Sequence, residues 1–225
     1  NSFAFDGTDD YIDCGNGASL QITGALSISF WLYGETNGIH TGVITKTPNT
    51  NSLGSDTQYH IQFQNSNQLR FAVRGCDLYA GQETTGTVPT VTVGSWQHIA
   101  MTWNGTDTMT IYKDGSQVCT KVQSTTIVSN TSPVWLGRRA GFGLLLGKLD
   151  EVAIFNTELS SSDISSIGSS VIDLSTYSPV SWWRMGEAAT WDGVRDWTLR
   201  DQGSGGNDGT SQNMAEDAKS TDVPS

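Results

Sequence analysis

Apolar residues recur at every second position in several short stretches of this chain, the period of a β-strand with one buried face. Phe3 and Phe5 alternate with small residues, and Leu26, Ile28, Phe30 and Leu32 alternate with Ser27, Ser29 and Trp31. Tyr59–Phe63 and Leu69–Val73 repeat the pattern and are joined by Asn65-Ser66-Asn67, which predicts a hairpin. Trp96–Trp103 and Met109–Tyr112 predict a second hairpin, opened by Asn104-Gly105, and Asp114-Gly115 then turns the chain into Val118–Val122. Asx-Gly pairs suit such turns because both central residues of a type I′ turn need φ > 0. Strands and turns at this spacing predict an all-β fold, a jelly-roll sandwich of two antiparallel sheets. The pattern leaves one short helix, over residues 158–167, capped by a serine near its start, with Leu159, Ile164 and Ile167 on one face. The polar stretches 41–57 and 81–93 lack periodicity and read as long loops, where ligands tend to bind on a rigid sandwich.

The texture changes after Ile172. Four of the eight tryptophans, Trp182, Trp183, Trp191 and Trp197, crowd into this last quarter, which carries nine acids and four bases. The organisation expected is therefore a sandwich over residues 1–172 followed by an acidic, Trp-rich extension over 173–225. Aromatics of this size gain from burial. They pack either on their own sandwich or on a neighbouring copy, and the second arrangement implies self-assembly.

Composition narrows the function. The 225 residues carry a net charge of -11, with 25 glycines and 5 prolines. The chain lacks the basic footprint of a nucleic-acid binder, and no apolar run is long enough to span a bilayer. Cys14, Cys76 and Cys119 are an odd count without a C-x-x-C, which leaves one disulfide plus a thiol, or three reduced core cysteines. The chain opens on Asn1 with no apolar leader, as expected of a mature or excised piece of a longer protein.

The most chemically suggestive stretch is Phe5-Asp6-Gly7-Thr8-Asp9-Asp10-Tyr11-Ile12. It sets Asp6, Asp9 and Asp10 on a tight corner between two strands. Carboxylates crowded there repel one another unless a cation or backbone donors compensate. Calcium, a hard oxygen-seeking cation, is the candidate; a plain solvated turn is the alternative. Among catalytic patterns, no nucleophile elbow or P-loop occurs. His40, His60 and His98 lie far apart, and His98 falls in a strand pattern. Asp150 and Glu151 are consecutive, so on a regular strand they face opposite sides and cannot flank one bond.

Six segments in order carry a family resemblance: FDGTDDYI at 5–12, SISFWL at 27–32, WQHIAMTWNG at 96–105, IYKDG at 111–115, VWLGRR at 134–139 and GKLDEVAIFNTELSSSDI at 147–164. Together they resemble the laminin-G-like, concanavalin A-like lectin/glucanase superfamily. The resemblance implies that the first strand lies beside the late LDEV strand, bringing Asp150 up to Asp6 with Asp9 or Asp10 close by, around a Ca2+ ion. The superfamily's hydrolases carry E-x-D-x-x-E on one strand. None of the six glutamates here (Glu35, Glu83, Glu151, Glu158, Glu187, Glu216) stands in that pattern. No catalytic residue is assigned. The expected function is a non-catalytic, lectin-like module of a larger protein, binding carbohydrate or protein and located extracellularly or on a virion surface. Tyr33, Tyr59, Tyr79 and Trp135 are aromatics near strand ends, without an assigned ligand. The alternative is a building block of a virion or fibre, because YSPVSWWRMGE and DQGSGGNDGT resemble segments of marine phage structural proteins.

Overall fold

The computed structural model describes residues 1–48, 56–65 and 67–224. Its first strands are β1 (Ser2–Asp6), β2 (Tyr11–Asp13), β3 (Leu26–Tyr33), β4 (Gly42–Lys46), β5 (Tyr59–Phe63) and β6 (Leu69–Val73). There follow β7 (Cys76–Leu78), β8 (Thr85–Gly86), β9 (Trp96–Trp103), β10 (Thr108–Lys113), β11 (Ser116–Val122), β12 (Trp135–Leu136) and β13 (Leu146–Phe155). After the helix α1 (Ser161–Ile167) come β14 (Ser181–Trp183), β15 (Ala189–Trp191), β16 (Trp197–Leu199), β17 (Gly209–Gln212) and β18 (Lys219–Ser220).

The strands form two antiparallel sheets. The first runs β18-β1-β13-β3-β9-β10-β11-β8, with β14 paired to β13. The second runs β15-β16-β17-β2-β12-β4-β5-β6-β7. The pairing of β1 with the late β13 is the long-range closure that a jelly roll requires. Period-two alternation sends Phe3, Phe5, Ile28, Phe30, Ile99 and Leu149 from one sheet, and Ile12, Ile44, Ile61, Phe71 and Leu136 from the other, into one core. Asp114 and Gly115 have φ of 50° and 73°, as the hairpin reading requires.

The helix starts slightly later than its pattern predicts. Ser160 caps it, accepting from the Asp163 N–H while the Asp163 carboxylate accepts from the Ser160 N–H. Ile164 and Ile167 then bury against Ala100, Tyr112, Ala153 and Phe155, closing a second, smaller core on the outer face of the first sheet. All three cysteines are free and buried.

The loop reading of residues 41–57 fails at β4, which is buried throughout. Its polar residues hid it. Lys46 is buried because its Nζ donates to the Ser132 carbonyl at 2.5 Å and to Asn16, and Thr45 Oγ1 donates to the Arg138 carbonyl at 2.8 Å. Residues 49–55 of that stretch, and Ser66 of the predicted hairpin connection, lie outside the described residues. The second expected loop, 81–93, contains the two-residue strand β8.

The Trp-rich last quarter packs in cis, as strands of both sheets. β14 pairs with β13 through Val152↔Trp183, β17 pairs with β2, and β18 pairs with β1 through Ser2↔Ser220. Trp183 is fully buried in the main core and donates to the Asn207 carbonyl at 2.8 Å. Trp182 belongs to the second core, and Trp197 meets Phe3 edge-on at 5.2 Å. Trp182, Trp183 and Trp197 are therefore buried in the chain's own cores, and Trp191 packs partly buried against the main one.

Candidate functional site

The acidic corner is built by local hydrogen bonds. β1 ends at Asp6, and Gly7 turns the chain with φ of 74°, a conformation open to glycine without strain. Asp6 Oδ1 accepts from the Thr8 N–H at 2.7 Å and the Asp9 N–H at 3.4 Å, and Asp10 Oδ2 accepts from the Asp6 N–H at 3.1 Å. Carboxylate oxygens of Asp6, Asp9 and Asp10 come within 4.8 Å of one another. Among the described residues no lysine or arginine pairs with any of the three. Burial pushes the Asp10 carboxyl up to about 6, and the charges of Asp6, Asp9 and Asp217 push the same way. Three crowded carboxylates without a side-chain cation fit a hard cation, whose remaining oxygens would come from water and carbonyls. Asp6, Asp9 and Asp10 would hold it, and it would supply a fixed positive charge at the rim.

Asn213 adjoins this corner from two hundred residues away, with its amide donating to the Asp9 carbonyl at 3.2 Å. Three depressions meet at Asn213. One of about 310 Å³ runs over Ala4, Asp6, Asp10 and Asp217. Another, of about 470 Å³, is walled by Asp9, Trp191, Val194 and Arg195. The third, of about 250 Å³, is walled by Tyr11, Arg138, Phe142 and Leu144, again with Asp9. The hairpin tip beside the second is fixed by Asp192, whose carboxylate accepts from the N–H groups of Val194, Arg195 and Asp196 at 2.8 to 3.1 Å. Val194 is 84% exposed at that tip. The rim thus combines aromatic, apolar, amide and charged groups in one concave region.

Asp150 does not join this corner, and the expected quartet is corrected to a trio. Asp6 stands opposite Leu146 in the β1–β13 register. Asp150 lies four residues further on, roughly 13 Å along the strand. It sits instead with Glu151 and Glu187, their oxygens also within 4.8 Å. The expectation that Asp150 and Glu151 face opposite sides is overturned as well. The register of β13 against β3 shifts between Asp150 and Ala153, and Glu151 has φ of 48°. This bulge breaks the alternation and turns both carboxylates to one side. Glu151 accepts from Trp182 Nε1 at 2.6 Å and from Arg184 Nε at 3.3 Å, and Asp150 accepts from the Glu151 N–H at 2.9 Å. Burial, reinforced by the charges of Glu151 and Glu187, pushes Asp150 up to about 8. The separation resembles that of a hydrolase pair. However, Asp150 is 2% exposed, and the gap beside Glu151, under Ile167 and Leu174, has no room even for water.

The remaining sequence candidates resolve into packing. Tyr59 is buried and donates to the Leu20 carbonyl at 3.2 Å. Tyr79 lies under Arg70, Tyr33 under Lys148, and Trp135 under Arg138. His60 and His98 are buried, which holds them down to about 3 and about 4. Sequence reasoning missed Asn213, Asp217 and Glu187. Each reaches its cluster only through tertiary folding, and no local signal marks it.

Comparison with known proteins gives the context. A search of the curated proteins finds no match. Among solved structures, a proposed carbohydrate binding protein from Bacteroides ovatus superposes with a TM-score of 0.71 at 14% identity, covering 100% of this chain and 62% of that one. Domain 4 of AbnA, a GH43 extracellular arabinanase from Geobacillus stearothermophilus in complex with arabinotriose, gives 0.53 at 16% identity, over 74% of this chain and 76% of that one. The CBM40 of Ruminococcus gnavus IT-sialidase, bound to α2,3-sialyllactose, gives 0.53 at 12% identity, over 75% and 96%. At these identities the likeness is one of fold. The family model Laminin_G_3 matches residues 6–165, more than half of the chain, and the chain therefore belongs to the Concanavalin A-like lectin/glucanases superfamily.

Proposed function

We propose that this chain is a non-catalytic glycan-binding module of a larger extracellular or surface protein, and that it binds at the rim around Asp6, Asp9, Asp10 and Asn213 with Ca2+ at the acidic corner. The observation that carries the reading is the carboxylate trio without a cationic partner, set beside three contiguous depressions. The fold neighbours described as carbohydrate-binding, or bound to arabinotriose and sialyllactose, support a sugar ligand. The second carboxylate cluster gives no support to hydrolysis, because Asp150 and Glu151 are enclosed and Glu151 is engaged by Trp182 and Arg184. Assembly through the last quarter draws no support from Trp182, Trp183 and Trp197, which are buried in the chain's own cores.

A glycan array probed with the full chain, in calcium and in chelator, tests the reading. Calcium-dependent binding to a defined glycan set is expected. Absence of glycan binding in both conditions, or turnover of a bound polysaccharide, would overturn it.

A further inference from the structure

The third depression contains a cation whose hydrogen-bonding edge is unused. Arg138 lies with its guanidinium carbon 4.3 Å from the centre of the Tyr11 ring and 4.6 Å from that of Trp135. The two rings are themselves edge-to-face at 6.1 Å. Both are anchored: Tyr11 and Trp135 stand on the neighbouring strands β2 and β12, and Trp135 Nε1 donates to Asp13 Oδ2 at 3.1 Å. The arginine's backbone is pinned too, by Thr45 and by a bridge to Leu144. Among the described residues no carboxylate or carbonyl accepts from its guanidinium. That matters in a chain with 23 acids against 12 lysines and arginines. Asp13, the acid beside Trp135, is spent on the indole, and Asp9 shares the depression without forming an ion pair with Arg138.

A guanidinium held against two rings on adjacent sides, with no acceptor of its own, keeps a planar fork of N–H donors matched to a carboxylate. The depression facing it, at about 250 Å³, is below the ~300–1,000 Å³ of pockets for drug-sized ligands and suits one sugar ring. Phe142 and Leu144 offer that ring an apolar wall, and Asp9 and Asn213 offer its hydroxyls polar partners.

We propose that this depression takes a carboxylated sugar residue, a uronic or similar acid, with the carboxylate held by the edge of Arg138. The inference rests on the glycan-binding reading and names the sugar class recognised at the same rim. The chain's net charge of -11 opposes an anionic ligand at long range. Recognition must therefore be short-range, and salt screening of the background repulsion should leave it largely intact.

The test measures affinity of the full chain, in calcium, for three probes: a galacturonate oligomer, its methyl ester, and a sulfated neutral oligomer of equal length. The acid is expected to bind about tenfold or more tighter than its ester. In Arg138→Gln that ratio should collapse to about one, and in Arg138→Lys it should fall, because an ammonium lacks the fork. Lys121→Gln, which removes the same charge from a distant strand, should leave the ratio intact; thermal melts confirm that each variant is folded. Equal binding of acid and ester by the wild type, or a preference for the sulfated probe, overturns the carboxylate site and leaves glycan binding standing. A preference that survives Arg138→Gln overturns the role of Arg138. Failure of every probe, together with a blank glycan array, would sink both readings.

Discussion

The corner at Asp6, Asp9 and Asp10 and the bulge at Asp150, Glu151 and Glu187 each crowd three carboxylates within 4.8 Å, but they are compensated differently. At the bulge, protein groups do the compensating: an indole N–H, a guanidinium and a backbone N–H meet Glu151 and Asp150, and Asp150 sits high enough to keep its proton near neutrality. At the corner, among the described residues, only backbone N–H groups respond, and two of the three acids are exposed. A cluster that satisfies its own charges holds a fold together. One that leaves charge open at a concave rim is suited to an external cation and a ligand. The count of acids is equal; what differs is who neutralises them.

Substitutions can break that contrast, and the largest effect is expected at the bulge. Glu151→Ala removes the acceptor of the buried Trp182 N–H and strands Arg184, at a cost of about 3 kcal/mol. Urea unfolding should show the same loss with calcium and with chelator. Next comes calcium itself. At about a hundredfold excess over its dissociation constant it should stabilise the wild type by about 2.7 kcal/mol. Asp9→Asn and Asp10→Asn should abolish that gain, and melts in the two media would measure it.

pH sharpens the comparison further. The folded state holds the Asp150 proton more tightly than an unfolded chain does, at about 8 against the ordinary 3.8. Its contribution to stability is therefore fully present below about 4 and is lost as pH rises through about 8. Asp150→Asn should flatten that decline in a stability–pH profile. At the corner, calcium competes with the Asp10 proton, so its stabilising effect should fade below about pH 6. The smallest effect is expected for Asp9→Asn in chelator, within about 0.5 kcal/mol of wild type, since the side chain is exposed.

The sandwich was legible because its strands obey a period of two, as at Leu26–Tyr33 and Trp96–Trp103. β4 was not, because burial of Thr45 and Lys46 rests on partners 30 or more residues away in sequence. The corner trio was legible because five consecutive residues contain it. Asn213 and Asp217 join it through β17 and the segment after it, which the sequence marks only as polar. The tryptophans of the last quarter announced burial without naming their partners, which come from the pairing of β14 with β13 for Trp182 and Trp183 and from the β15–β16–β17 strands beside β2 for Trp191 and Trp197. The bulge was the least legible of all. A glutamate at φ of 48° is adopted under tertiary constraint, and no residue pattern announces it.

Calorimetric titration of calcium into the wild type, Asp10→Asn and Asp150→Asn tests most directly the claim that the corner, and not the bulge, is the open acidic site. The account predicts one ion bound per chain by the wild type and by Asp150→Asn, and none by Asp10→Asn. Calcium binding that survives Asp10→Asn and disappears in Asp150→Asn, or a wild type that takes up no calcium at all, would contradict it.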